Sequence, residues 1–290
     1  MPPDPRPSRD PATAPAASLP QLHLSHPSGG SVAVYLQGAH VASWRRPGGD
    51  EVLFMSGESH FEAGVPIRGG IPVVFPQFSD RGPLPKHGFA RTLPWEVVET
   101  VTDPGGASRA TLRLTDGAAT RELWPHPFRA ELVVTLDEGL ATTLRITNTG
   151  KDVFTFTSAL HTYYRVGDVR QLTVEGLEGA RYLGAPGGEA VDADGMLRIR
   201  RETDGVYAGA GDRLRIVDPS LGRVLEVEKE GFADAVVWNP WVERARALPD
   251  FGDEEYLTMV CVEPANIAVP TRLGPGDVWS GTQKVLVREA

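Results

Sequence analysis

Cysteine is nearly absent from this chain of 290 residues, which contains only Cys261. A single cysteine cannot form a disulfide within the chain. Scarcity of cysteine is also typical of proteins that work in a reducing compartment. We therefore expect a cytoplasmic protein whose fold depends on burial of apolar side chains and not on covalent cross-links.

Long apolar runs are also missing, since no stretch approaches the roughly 20 apolar residues that a membrane-spanning helix needs. Residues 1–20 are rich in proline and alanine and lack the apolar core of a signal peptide. We interpret residues 1–20 as a disordered leader and residues 21–290 as one domain. We expect no membrane partner.

Positive charge is in deficit, and the formal net charge is −9. This balance argues against nucleic acid or an anionic membrane surface as the main partner. A small anionic substrate stays possible, because two arginines can hold it locally. The sequence has no phosphate-cradling glycine loop, no nucleotide fingerprint and no histidine pair with metal-ligand spacing. We expect neither a metal nor a cofactor.

Short segments of alternating polarity, separated by proline- and glycine-containing turns, dominate the chain. Many are rich in valine, threonine, phenylalanine and tyrosine, which suit a half-buried strand. The predicted strands are residues 32–36, 52–55, 111–114, 131–136, 142–146, 153–160, 172–174, 197–199, 214–217, 224–227, 235–238, 256–262 and 285–287. No long helix is evident, and a short helical turn at 242–248 would end at Pro249. This pattern predicts an all-β fold, a large antiparallel β-sandwich.

The loop at residues 65–95 combines many prolines and glycines with Arg68, Gln77, His87 and Arg91. Proline fixes the backbone angle φ and glycine permits unusual values, so this loop should have a rigid, defined shape. Binding residues concentrate on loops of that kind. The segment is either part of a binding site or a solvent-exposed loop with incidental charges.

Two further positions could carry acid–base chemistry. His161 lies near a strand end among aromatic residues and titrates near neutral pH. Glu263 ends an apolar run, although glutamate is rarely buried without a partner. His161 is alternatively a core histidine bonded to backbone, and Glu263 a strand end in solvent. The aromatic and acidic stretch at 238–256 either walls a sugar site or packs on the core as a surface loop.

Five segments together carry a family resemblance. RGGIPVVFPQF, LPKHGFAR, LHTYYRV, VVWNPW and DFGDEEYLTMVCVEPA follow one another in this order. In this order they resemble the glucose-6-phosphate 1-epimerases of the aldose 1-epimerase superfamily, over residues 29–287. The resemblance implies a β-sandwich of galactose-mutarotase type. It also implies interconversion of the α and β anomers of a hexose 6-phosphate, most simply glucose 6-phosphate.

The resemblance also implies roles for individual residues. His161 and Glu263 match the catalytic positions, and Arg68 and Arg91 match the positions that bind the phosphate end of the substrate. Gln77, His87 and Asp204 match further substrate-binding positions. We hypothesise that Glu263, as carboxylate, takes the C1 hydroxyl proton while His161, as imidazolium, protonates the ring oxygen. The QFSDRGPLP segment departs from the family pattern and leaves that wall of the site undefined.

Two alternative functions remain open at this point. One is a related epimerase that acts on unphosphorylated aldoses, against which the two loop arginines argue. The other is a carbohydrate-binding module without catalysis, which would need neither His161 nor Glu263. In each case we expect a small-molecule ligand and a monomeric protein.

Overall fold

A computed structural model describes residues 19–184, 191–192 and 194–290. The predicted leader, residues 1–20, lies outside the described residues except for its last two positions. Within the described ranges, no helix combines the length and the apolar composition that crossing a membrane would require.

Eighteen β-strands form within the described residues. They are β1 (Gln21–Ser25), β2 (Ser31–Tyr35), β3 (His40–Arg45), β4 (Val73–Val74), β5 (Glu96–Thr102), β6 (Ser108–Thr115), β7 (Phe128–Leu136), β8 (Leu140–Asn148), β9 (Phe154–Leu160), β10 (Tyr163–Arg165), β11 (Thr173–Glu175), β12 (Arg181–Tyr182), β13 (Thr203–Ala208), β14 (Arg213–Asp218), β15 (Arg223–Glu230), β16 (Asp234–Asn239), β17 (Met259–Leu273) and β18 (Val278–Glu289). The helices are α1 (Ala118–Leu123), α2 (Trp241–Ala247) and the 3-10 turns Ala90–Thr92 and Glu255–Thr258.

Three antiparallel sheets organise these strands. The largest has eight strands in the order β11-β14-β15-β18-β8-β7-β6-β5. The second has seven, in the order β12-β13-β16-β17-β9-β4 with β10 also paired to β17. A small sheet of β1, β2 and β3 adds to them. The main apolar cluster draws buried side chains from both large sheets, including Leu132 and Leu144 from one and Val237 and Val262 from the other. The predicted antiparallel β-sandwich is confirmed.

One face of the seven-stranded sheet packs in the main core and the other carries the cavity. Strand β17 contributes side chains to both faces. Val260 and Val262 belong to the main cluster between the large sheets. Side chains alternate across a strand, so Cys261 and Glu263 point to the opposite face. That face carries a smaller buried cluster with Cys261 and Tyr163, and Glu263 lines a cavity there. The period of two in this apolar run therefore places a carboxylate on the face away from the main core.

The strand predictions need some corrections. Residues 52–55 and 197–199 make isolated bridges to Tyr164, Gly69 and Val174 without forming continuous strands. Residues 255–258 form a 3-10 turn ahead of β17. The sequence analysis missed seven strands: β1, β3, β4, β5, β10, β12 and β13. In β13, Asp204 and Gly205 have low strand propensity. Pairing along β16 holds β13 in place nonetheless. The predicted short helix is confirmed as α2.

Candidate active site

His161 and Glu263 meet on the outer face of the seven-stranded sheet. His161 follows β9, and its backbone N–H donates a 3.0 Å hydrogen bond to the carbonyl of Pro72. Glu263 lies on β17, and its carboxylate Oε1 is 3.3 Å from Nδ1 of His161. Both residues are buried. Within the described part of the chain, His161 Nδ1 and both carboxylate oxygens of Glu263 lack a hydrogen bond. Buried polar atoms of this kind point to a functional site.

Burial also sets the protonation of this pair. It raises the pKa of Glu263 well above its usual value, with the charge of Asp204 as a second cause. It lowers the pKa of His161 to about 3, and the nearby charges of Arg68 and Arg91 contribute to that shift. Both directions favour the neutral forms, so the protein by itself holds one proton on the pair, on Glu263. The hypothesis from sequence placed that proton on His161.

The raised pKa of Glu263 predicts a stability effect for Glu263→Gln. Above pH ~4.5 the unfolded chain releases a proton that the folded protein keeps, so the wild type loses stability as pH rises towards the folded-state pKa. A glutamine does not titrate. We expect the variant to gain on the order of 1 kcal/mol in the free energy of unfolding at pH 8 relative to wild type, and nothing at pH 4. Urea unfolding of both proteins at the two pH values measures this, and a gain independent of pH would contradict it.

Arg68 is held against the site by paired glycines and an ion pair. Gly69 and Gly70 lie so close to neighbouring backbone that a Cβ would meet Phe54 O at 2.5 Å and Val41 O at 2.2 Å, respectively. The Arg68 guanidinium donates two 3.1 Å hydrogen bonds to Asp250 and one of 3.0 Å to the Tyr163 hydroxyl. An arginine has five N–H groups, so two remain for a ligand. Asp250 therefore orients Arg68 and also offsets part of its charge.

His87 and Gln77 shape the loop that closes the cavity. The Ser79 backbone N–H donates to Nδ1 of His87 at 3.2 Å, which leaves the ring proton on Nε2. Burial, and then the neighbouring His161, keep the pKa of His87 well below its usual range. The Gln77 amide bonds the backbone of Ser79 and Leu84 at 3.0–3.1 Å. His87 therefore lines the cavity as a neutral donor, whereas Gln77 is placed to hold the loop together.

Gly88, next to His87, allows the loop to approach the backbone of Phe75 closely. Its φ is +71°, and an added Cβ would lie 2.1 Å from the carbonyl oxygen of Phe75. We predict that Gly88→Ala lowers the free energy of unfolding by more than ~1–2 kcal/mol, which is what a left-handed φ alone costs a residue with a Cβ. Gly209→Ala is the matched control, because Gly209 has φ +72° with nothing within 4 Å of an added Cβ. Equal losses for the two variants in urea unfolding would show that the close approach has no effect.

Three further cations line the same cavity. Lys86, Arg91 and Arg244 form no ion pair with any residue that the structure describes. Arg91 donates a 2.8 Å hydrogen bond to the carbonyl of Lys86, and its Nε is buried without a partner. Burial lowers the pKa of Arg91 to about 10, so it still carries its charge at neutral pH. Unpaired cations at a cavity wall favour an anionic ligand.

Trp238 and Asp204 form the wall across from the loop. They lie directly opposite each other on β16 and β13. The Trp238 ring meets the His161 ring edge-on at a centroid distance of 6.0 Å. An indole face beside polar groups suits a ligand with an apolar face and a hydroxyl-bearing edge. Trp238, Arg244 and Leu248 of the 238–256 stretch line the cavity, and their role as a sugar-site wall stays a prediction.

The cavity measures about 300 Å³ and brings together six of the seven site residues predicted from sequence. They are Arg68, His87, Arg91, His161, Asp204 and Glu263. Gln77 does not line it. The sequence analysis did not single out Lys86, Trp238 or Arg244 individually. Lys86 adjoins His87, and Trp238 and Arg244 lie in the 238–256 stretch. The sequence analysis therefore covered these segments but could not predict which of their side chains point into the cavity. The roles of all seven predicted residues stay predictions.

A comparison with known families shows which family the chain belongs to. The profile of the family described as Aldose 1-epimerase matches residues 20–286. The chain belongs to the aldose 1-epimerase family. A relative from Cenchrus ciliaris, named "Putative glucose-6-phosphate 1-epimerase", is 39% identical over 258 residues, which are 86% of this chain and 78% of that protein.

Solved structures support the family membership. The crystal structure of a protein described as a "putative mutarotase" from Salmonella typhimurium is 32% identical, with a TM-score of 0.85. The match covers 93% of this chain and 90% of that one. A galactose mutarotase related enzyme from Lactobacillus acidophilus gives a TM-score of 0.74 at 14% identity, over 93% of this chain and 97% of that one. The last match shows the fold alone, and it agrees with the predicted galactose-mutarotase type of sandwich.

Proposed function

We propose that this aldose 1-epimerase family member interconverts the α and β anomers of a hexose 6-phosphate, with glucose 6-phosphate as the first candidate. The observation that carries the proposal is the buried His161–Glu263 pair in a cavity whose walls also hold Arg68, Lys86 and Arg91. The names of the relatives support the same substrate.

The reaction needs one proton donor and one acceptor at the two oxygens of the anomeric centre. Ring opening transfers a proton to the ring oxygen and removes one from the C1 hydroxyl. The aldehyde then turns about the C1–C2 bond and closes on its other face. Because the pair holds one proton throughout, each opening moves that proton from one residue to the other through the sugar. No net proton enters or leaves.

The substrate phosphate has an electrostatic role in this proposal. Burial is the main cause of the lowered pKa of His161, and the charges of Arg68 and Arg91 add to it. A phosphate dianion beside the two arginines would cancel much of their part and so raise the pKa of His161. The shared proton then moves to His161, which donates it to the ring oxygen, while the Glu263 carboxylate accepts the proton of the C1 hydroxyl. The assignment from sequence is thus proposed for the substrate complex.

A coupled assay tests the substrate class. Freshly dissolved α-glucose is phosphorylated in situ, and an excess of a dehydrogenase specific for β-glucose 6-phosphate reports the anomerisation step. We expect this chain to abolish the slow phase that spontaneous mutarotation imposes. The same design with free α-glucose and a β-specific glucose dehydrogenase should show at most weak acceleration. Equal acceleration of both sugars would favour an epimerase of unphosphorylated aldoses, and acceleration of neither would refute the proposal.

A further inference from the structure

Cys261 lies beside the catalytic pair without a place in the proposed reaction. It precedes Glu263 by two residues on β17, so both side chains point to the same face of the sheet. The ligand atoms of His161, Cys261 and Glu263 all lie within 4.8 Å of one another. All three residues are buried, and the cysteine is a free thiol.

These three side chains offer a nitrogen, a sulfur and an oxygen ligand around one point. Zn²⁺ accepts this combination in four-coordinate sites, at about 2.0–2.3 Å from each ligand. Ligand atoms of a tetrahedral site are then about 3.3–3.6 Å apart. The observed 3.3 Å between His161 Nδ1 and Glu263 Oε1 already has this spacing. The largest separation within the trio is at most 4.8 Å, so a shift of about 1 Å would bring the sulfur of Cys261 to the tetrahedral spacing.

The ligand atoms of His161 and Glu263 are also free to take a metal ion, although Arg68 and Arg91 lie nearby. His161 Nδ1 and both oxygens of Glu263 have no hydrogen bond from any residue that the structure describes, so a metal would break no hydrogen bond of theirs within that part of the chain. His161 and Glu263 line the cavity, which provides a path of entry and an open fourth position. A divalent ion that replaces the protons of Glu263 and Cys261 leaves the net charge of the buried cluster unchanged.

We propose that His161, Cys261 and Glu263 form a binding site for Zn²⁺ or a similar thiophilic divalent cation. Occupation of the site engages both members of the catalytic pair, so the bound ion inhibits the enzyme. Metal binding goes beyond the proposed function and does not depend on it, whereas inhibition rests on that function. Oxygen-preferring ions such as Mg²⁺ and Ca²⁺ should not bind here, because a thiol and an imidazole are poor ligands for them.

Cobalt(II) titration of the wild-type protein tests binding without an activity assay. Co²⁺ occupies zinc sites, and a coordinated thiolate gives an intense near-ultraviolet charge-transfer band. Because Cys261 is the only cysteine in the chain, such a band can come from no other residue. We expect one equivalent to saturate the band and Zn²⁺ to abolish it. No thiolate band at millimolar Co²⁺ would overturn the proposal, whether or not the protein is an epimerase.

Cys261→Ala and Cys261→Ser test the link to activity. Both should keep anomer exchange, because the sulfur takes no part in the proposed proton transfers. Half-maximal inhibition should require at least about tenfold more Zn²⁺ than in wild type. The comparison is made in identical solutions, so chelation of Zn²⁺ by the sugar phosphate affects each protein equally. Equal zinc sensitivity in wild type and in a folded variant would show that Cys261 is not a ligand.

Discussion

Glu263→Gln should lower kcat for anomer exchange of glucose 6-phosphate by roughly 10²–10⁴-fold, the contribution expected of one positioned acid or base. The amide keeps the size of the side chain but can neither accept the C1 hydroxyl proton nor hold the proton that the pair shares. Substrate affinity should change little, because Arg68, Lys86 and Arg91 remain in the cavity wall. Titration of the intrinsic tryptophan fluorescence with glucose 6-phosphate, to which Trp238 in the cavity wall contributes, separates affinity from turnover.

Glu202→Gln is the matched control for this prediction. Glu202 lines the same cavity but is exposed, whereas Glu263 is completely buried. Both variants remove one carboxylate from the site, so a general effect of charge would appear in both. We expect the control to stay within about tenfold of wild type. Similar losses in the two variants would assign the effect to charge and remove Glu263 from its proposed role.

Arg91→Gln should lower kcat/KM for glucose 6-phosphate by roughly 10- to 100-fold, the loss of one charge-assisted hydrogen bond to phosphate of about 1.5–3 kcal/mol. Weak activity on free glucose should stay within about twofold. Arg91 suits this test better than Arg68, because Arg68→Ala would also strip Asp250 of its ion-pair partner. Arg91 forms no ion pair with the described residues, so its removal leaves no carboxylate unpaired.

Arg145→Gln provides the control for net charge, since Arg145 is exposed on β8 and does not line the cavity. Arg145→Gln should leave the activity on glucose 6-phosphate and the activity on free glucose unchanged. The ratio of the glucose 6-phosphate and glucose activities in each variant is the decisive quantity. If Arg91→Gln lowers both activities equally, Arg91 supports the site in general and does not bind phosphate.

Much of the fold was predictable from the sequence, because half-buried strands show their period of two. The alternation at 131–136 and 142–146 predicted the centres of β7 and β8, which pair along their whole length. Seven strands escaped prediction, and several of them are short or polar. The two residues of β4 show no period, and β13 contains Asp204 and Gly205. Such strands are held by their neighbours in the sheet, and single-sequence patterns do not show those neighbours.

The site was predictable as a set of residues but not as an arrangement. Six of the seven predicted residues line one cavity, yet the family motifs gave no sign that Gln77 bonds its own loop. The protonation of the His161–Glu263 pair could not be predicted from the sequence either, because it depends on burial of the two side chains and on the positions of the nearby arginines. The nearness of Cys261 to His161 follows from the pairing of β10 with β17, which no residue spacing reveals.

Two-dimensional exchange NMR of glucose 6-phosphate at anomeric equilibrium is the most direct test of the proposed reaction. It observes the H1 signals of both anomers without a coupling enzyme or a pure starting anomer. We predict exchange cross-peaks between the α and β H1 signals whose build-up rate rises in proportion to protein concentration and falls by roughly 10²–10⁴-fold with Glu263→Gln. Cross-peaks no stronger than in buffer, with folded wild-type protein present, would contradict the assignment of this chain as a hexose 6-phosphate epimerase.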